Sequence, residues 1–271
     1  MFLPENIDLA HSEKYSLSIR LTPNGFSFYF QSSDDPNVFH FQKTDLSNKL
    51  SYSDNIKKLI FDLGFFTHSF KKTTVMIVSP NYTLVPRQLF EAKKSKEIMD
   101  FNFHDMSGIK LHDSSVNKDY SVVFNMDEEV HSFLSRHLIN PEFKHHSAPL
   151  LNVFNTYTHH ECRKQSFVCF HDGFVSVFCY FEDKLLSANT FHCDNKPDTT
   201  YYLASIWEKL SLDQTKDTLY LSGDIDSYLT VVNDLKILIK NVERINMEPK
   251  TTLTKEQLNS LPTDVIAALC V

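Results

Sequence analysis

Leu17, Ile19 and Leu21 alternate with Ser18, Arg20 and Thr22, the period of a strand with one buried face. Beyond Asn24-Gly25, Phe26, Phe28 and Phe30 alternate again. Asn-Gly between two alternating runs predicts a β-hairpin with a type I′ turn, whose central residues both take positive φ. Asp34-Asp35-Pro36-Asn37 predicts the next turn, and Val38, Phe39 and Phe41 a third strand. The spacing then becomes helical at Ile56, Leu59, Ile60 and Leu63, with Ser53 and Asp54 available as caps and Gly64 at the C-cap position. Thr73 to Val78 is a β-branched apolar run ahead of Pro80, as in a strand buried on both faces.

This order of three strands, a helix and a strand recurs. Phe167 to Phe170, a turn at Asp172-Gly173, Val175 to Phe181, Glu182-Asp183 and Leu185 to Phe191 predict a second three-stranded meander. Asp172-Gly173 carries the same type I′ signal. A helix follows from about Asp198 with Leu203, Ile206, Trp207 and Leu210 on one face, then a short strand, Leu219 to Leu221, ending at Ser222-Gly223. Taking Gly25 onto Gly173, an offset of 148, also aligns Ser18 with Ser166, Phe26 with Phe174 and Phe30 with Phe178. A long-period repeat of this kind is a fold-level signal.

Between the copies, the pattern predicts a helix over Pro86 to Met99, a strand over Tyr120 to Met126 and a helix from Asp127 through Leu138. A short strand at Glu142 to His146 and a helix from Pro149 through Tyr157 follow. After the second copy come a long helix, Asp226 to Lys240, and a strand, Val242 to Met247. Thr254 to Gln257 forms a capping box. Leu258, Leu261, Ile266 and Leu269 pack the helical tail. The expected division is 1–160, with an inserted segment at about 80–118, and 161–271.

Length and composition agree with two compact domains: 271 residues, 42% hydrophobic and 23% charged. A net charge of -7 argues against general attraction to nucleic acid. No run reaches the ~18 apolar residues of a membrane span, and Met1 to Ser16 has no signal-peptide pattern. These features point to a cytoplasmic protein whose cysteines are free, mostly buried thiols. Glycine is scarce, with 5 residues, which limits loops that cradle phosphate.

The duplicated order, with further αβ pairs added, resembles the actin-like ATPase superfamily: actin, the heat-shock chaperone ATPases, the sugar kinases and pilus-assembly proteins. Within it the chain looks like a bacterial family of unknown function with a degenerate actin-like fold. The resemblance implies an α/β fold of two ribonuclease H-like lobes, each βββαβ-based with a mixed five-stranded sheet, and an interlobe cleft. It implies ATP and Mg²⁺ as cofactors. In the superfamily each first hairpin wraps a phosphate, with an Asp at the end of its first strand, and a Gly-Gly strand end contacts the adenosine. The corresponding positions are Asn24 and Gly25, Asp172 and Gly173, and Ser222, Gly223 and Asp224.

This sequence departs from that pattern at the acids. Neither Leu17 to Leu21 nor Phe167 to Phe170 contains a carboxylate; Arg20 stands near the place of the first. Pro23 in the first turn donates no N–H, and Asp224 replaces the second glycine. Without the acids, metal and water lose their ligands, and phosphoryl transfer is mostly positioning and charge stabilisation. The residues therefore argue for a fold without a cofactor, binding an unknown protein partner rather than turning over ATP; a nucleotide-binding ATPase or kinase with an atypical metal site is the alternative.

Other constellations read more simply. His159-His160-Glu161-Cys162, with His145-His146 nearby, has metal-ligand chemistry but no zinc spacing. His171-Asp172, with Ser166 and Ser222, lacks a Gly-x-Ser-x-Gly elbow. Asp226 or Ser227 reads as a cap for the following helix. Phe65-Phe66 reads as packing under a loop, or else as a partner surface.

Overall fold

The structure, a computed structural model, describes residues 7–32, 34–104, 106–114, 119–158, 163–193 and 196–271. The first strands are β1 (Tyr15–Thr22), β2 (Gly25–Ser32) and β3 (Phe39–Thr44), followed by α1 (Tyr52–Leu63) and β4 (Lys72–Ile77). Next come β5 (Tyr82–Pro86), α2 (Ser95–Asn102), β6 (Ile109–Asp113) and β7 (Tyr120–Met126), then α3 (Glu128–His137), β8 (Glu142–His145) and α4 (Ser147–Tyr157). The second series is β9 (Lys164–Phe170), β10 (Phe174–Phe181), β11 (Lys184–His192), α5 (Lys196–Lys209) and β12 (Thr218–Gly223). It continues with α6 (Leu229–Leu238), β13 (Asn241–Arg244), α7 (Lys255–Ser260) and α8 (Thr263–Cys270).

Two five-stranded mixed sheets share one order, β3-β2-β1-β4-β8 and β11-β10-β9-β12-β13. In each, the meander is antiparallel and the last three strands run parallel. The chain falls into two compact units, Met1–Ala148 with Pro249–Leu261, and Pro149–Glu248 with Pro262–Val271. The α/β class with two mixed five-stranded sheets, which the resemblance implies, is the one observed.

The segment between the copies differs from expectation. Pro86 to Met99 is not one helix: β5 ends at Pro86, 3-10 turns occupy Arg87–Leu89 and Ala92–Lys94, and only Ser95–Asn102 is α-helical. Tyr82, Leu84 and Val85 pair with β7, which also takes β6 on its other side. The result is a three-stranded antiparallel sheet, β5-β7-β6. A proline at the end of an edge strand is as acceptable as one at a helix start.

The repeat is real, but its offset is 149. Leu21 faces Phe26 in the first hairpin and Phe170 faces Val175 in the second. Those pairs superpose only when 149 is added to each member. The offset of 148 is one residue out, and one residue in a strand exchanges its two faces. At the correct register Ile19, Leu21, Phe26 and Phe28 correspond to Val168, Phe170, Val175 and Val177. Those four pack with Leu203, Ile206 and Trp207 of α5 and Val231, Val232 and Leu235 of α6. In the first unit Phe28 and Phe30 meet Phe65 beyond α1, with ring centroids 5.0 and 6.0 Å apart. Phe178, by contrast, meets Phe154 of α4 at 5.5 Å. Each such buried side chain contributes about 1.5–3 kcal/mol.

Helix ends follow local chemistry. Ser51, not Ser53 or Asp54, caps α1, accepting the Asp54 N–H at 3.0 Å. Gly64 takes φ 71° as its C-cap, and Asp127 caps α3 through the Val130 N–H. Thr254 and Gln257 close the expected capping box on α7.

Candidate functional site

At the carboxyl end of β9 the chain turns through His171, Asp172 and Gly173. The His171 N–H donates to the Phe174 carbonyl at 2.9 Å, and the imidazole stacks on the Phe174 ring at 4.3 Å. Only Gly173 has positive φ, at 79°, so this is not the expected type I′ turn, which needs two such residues. Parallel to β9, β12 ends with Gly223 beside Phe170. Gly223 has φ 84°, and a Cβ there would stand 2.1 Å from the Phe170 carbonyl oxygen. Backbone approach this close requires glycine. The Asp224 N–H then donates to the same carbonyl at 3.0 Å.

Ser222, Asp224 and Tyr228 are engaged in hydrogen bonds here. Ser222 Oγ, buried, donates to the Val168 carbonyl at 3.0 Å. The Asp224 carboxylate accepts the Ser227 hydroxyl at 2.6 Å and the Ser227 N–H at 3.3 Å. Asp224 is therefore the capping residue of this turn. Asp226 is not, and instead meets Arg244 at 3.5 Å on the surface; Ser227 serves as donor. Tyr228 completes the cluster: its ring stacks on Phe170 at 4.7 Å and its hydroxyl donates to the His171 carbonyl at 3.2 Å. Burial pushes the Tyr228 phenol up to about 12, helped by Cys193 and by the charges of Asp172 and Asp224. Asp172, Gly173, Ser222, Gly223 and Asp224 thus meet at one end of the second sheet, where open α/β sheets bind ligands. Tyr228 was missed; its only sequence signal is a place in the helical stretch expected from Asp226.

The first unit builds its equivalent differently. Pro23 and Asn24 form the two-residue turn, and Gly25 already lies in the ladder opposite Thr22. Neither Asn24 nor Gly25 has positive φ, because proline holds the first turn position near -65°. A Cβ on Gly25 would meet only Thr22 Oγ1, at 2.8 Å. Where the second unit has Gly223-Asp224, the first has Ile77-Val78, with Ile77 beside Leu21 and the Val78 N–H donating to the Leu21 carbonyl at 2.8 Å. Arg20 pairs with Ser27 and Met76 in the sheet.

These residues do not fit a magnesium nucleotide. Strands β1 and β9 present no carboxylate, Pro23 withholds an N–H, and the Asp224 oxygens already hold Ser227. Among the described residues no group of three or more His, Cys, Asp or Glu could hold a metal ion. His159 to Cys162 lie outside the described residues. His145 is buried, with Nε2 3.2 Å from the Ser79 carbonyl and Nδ1 2.8 Å from Ser147 Oγ. A ring N–H given to that carbonyl leaves Nδ1 to accept, so Nε2 cannot activate the Ser79 hydroxyl at 3.5 Å.

A family model described as "Protein of unknown function (DUF3822)" matches residues 4–242. The chain belongs to the DUF3822 family. Among solved structures, this DUF3822 protein is similar to a Bacteroides thetaiotaomicron protein described as having an actin-like ATPase fold and unknown function. The two are 26% identical, with a TM-score of 0.84 over 98% of this chain and 99% of that one. It is also similar, at 13% identity and a TM-score of 0.58, to a chain of the PilM-PilN type IV pilus biogenesis complex, over 94% of this chain and 97% of that one. The second likeness is one of fold. No curated protein is significantly similar to the DUF3822 chain. No helix among its described residues is long and apolar enough to cross a membrane.

Proposed function

We propose that this protein is a non-catalytic, cytoplasmic scaffold that uses an actin-like fold to bind another protein. The observation that carries this reading is the chemistry of β1 and β9, which bring no acid to the hairpins where the fold would hold magnesium. The structural neighbour PilM, solved in complex with PilN, supports the reading by analogy of fold. A second reading, a nucleotide-binding ATPase or kinase with an atypical metal site, has one observation in its favour. Asp172 and Asp224 both lie near Tyr228 at the carboxyl ends of β9 and β12, where they could serve as a rearranged acid pair.

Thermal unfolding with and without millimolar MgATP separates the two. A ligand at a hundred times its Kd stabilises the native state by about 2.7 kcal/mol. The scaffold reading expects an unchanged melting temperature. A rise that Asp172→Asn or Asp224→Asn removes would establish the second reading.

A further inference from the structure

Helices α1 and α3 lie side by side and leave an aromatic patch uncovered. Phe65 is buried under the sheet, whereas Phe66 is 42% exposed and Phe61 47% exposed. The Phe61 ring meets Phe66 at 5.3 Å, Phe133 at 5.4 Å and His137 at 5.5 Å. His137 stacks on Phe133 at 4.3 Å. The patch continues into an open groove of about 510 Å³ lined by Lys57, Glu128, Glu129, Phe133, Arg136 and His137. Exposed aromatics in mutual contact beside a groove mark an interaction surface.

Charge says what fits there. Glu128 and Glu129 occupy the first turn of α3, and Arg136 and His137 the last. Lys57 is held by Glu129 and lies 3.8 Å from Asp54, so it is neutralised where it stands. Among the described residues, neither Glu128 nor Arg136 makes an ion pair within this chain. At 1.5 Å per residue they stand about 12 Å apart along the helix. The groove therefore has an acidic end and a basic end, and its best complement is a helix with the same two ends laid antiparallel. Helix α3 is such a helix. A twofold axis at the level of Ser132 places the Arg136 of each copy against the Glu128 of the other, and lays aromatic face over aromatic face. Opposed helix dipoles favour the same arrangement.

We propose that the α1–α3 face is a self-complementary interface through which a second copy of this chain forms a closed twofold dimer, α3 against α3. It is independent of the nucleotide question. The two symmetric Arg136–Glu128 contacts set the register, and burial of Phe61 and Phe66 supplies most of the affinity.

Sedimentation velocity over a concentration series tests this with a built-in control. The wild type should sediment as a concentration-dependent dimer. Arg136→Glu places like charges together twice, and so does Glu128→Arg; each variant alone should dissociate at least about tenfold more readily. Mixed, the two variants should dimerise again, since each mutated charge then meets its opposite. That recovery also shows that both variants are folded. Phe66→Ser should weaken the dimer without altering the far-ultraviolet circular dichroism. A wild type that stays monomeric at its highest soluble concentration would overturn the proposal. A dimer indifferent to both charge reversals, or single variants that fail to pair when mixed, would overturn it equally.

Discussion

Three glycines of the two hairpins and the β12 end look alike in sequence and differ in what holds them. At Gly223 both the backbone angle and the space forbid a side chain, so Gly223→Ala should destabilise by about 3 kcal/mol or more. Gly173 has φ 79° but open space around it, and Gly173→Ala should cost about 1–2 kcal/mol. Gly25→Ala should be nearly neutral, because its one close neighbour is a threonine hydroxyl that can rotate. Urea unfolding of the three variants gives that ranking directly; equal costs at Gly25 and Gly173 would restore the type I′ turn that Asn-Gly implies. The same contrast holds for the acids. Asp224→Ala, which removes the acceptor for Ser227, should cost about 1 kcal/mol, and Asp226→Ala, on an exposed ion pair, less than about 0.5 kcal/mol. At this scale what was legible is what composition fixes, namely that no acid stands on β1 or β9. Which residue caps was not, since Asp224, Asp226 and Ser227 lie within one turn and only the path after Gly223 decides among them.

Among elements, the meander–helix–strand repeat was readable because period two and period 3.6 alternate so clearly. Its exact register was not. Phe26 and Phe174 are both buried, so hydrophobicity alone cannot tell which face either occupies, and only the ladder partners distinguish 148 from 149. The β5-β7-β6 sheet stayed hidden for a related reason: Leu84 and Val85 form too short a run to oppose the helical look of the residues after Pro86. Two elements carry histidines with a consequence for pH. Burial lowers the His40 pKa on β3, against a smaller opposing hydrogen bond from Gln42, and lowers that of His131 on α3, against the charge of Glu128. His131 lies against Phe143 of β8 at 4.5 Å. A lowered folded pKa means that the unfolded chain takes up the proton first. Stability from these groups is therefore complete above the unfolded value of 6.5 and is lost as pH falls through the folded one. The melting temperature should decline from about pH 7.5 to about pH 5.5, before carboxylates begin to titrate. In the double variant His40→Gln with His131→Gln that decline should flatten; an unchanged slope would assign it to other groups.

At the scale of the molecule, the actin-like architecture was within reach of the sequence because element order survives where identities do not, as 26% identity at a TM-score of 0.84 shows. Function was not, since a fold accommodates many sites and the missing acids say what the protein does not bring rather than what it binds. The division of the chain, however, makes a mechanical prediction. The chain leaves the second unit at Glu248, contributes Pro249–Leu261 to the first and returns with Pro262–Val271 to the second. Helix α8 buries Val265, Ala267 and Leu269, and Cys270 lies near Tyr157, a residue of the second unit. Deleting residues 262–271 removes Val265 and Leu269, at about 1.5–3 kcal/mol each. The loss falls on one unit. Trp207, the 1 tryptophan of the chain, is buried in the core of that unit, so its fluorescence reports the second unit alone. In the truncated chain the tryptophan transition in urea should move to lower denaturant, while ellipticity keeps a second component from the first unit at its original midpoint. A single transition, shifted equally in both signals, would mean that the two units unfold as one.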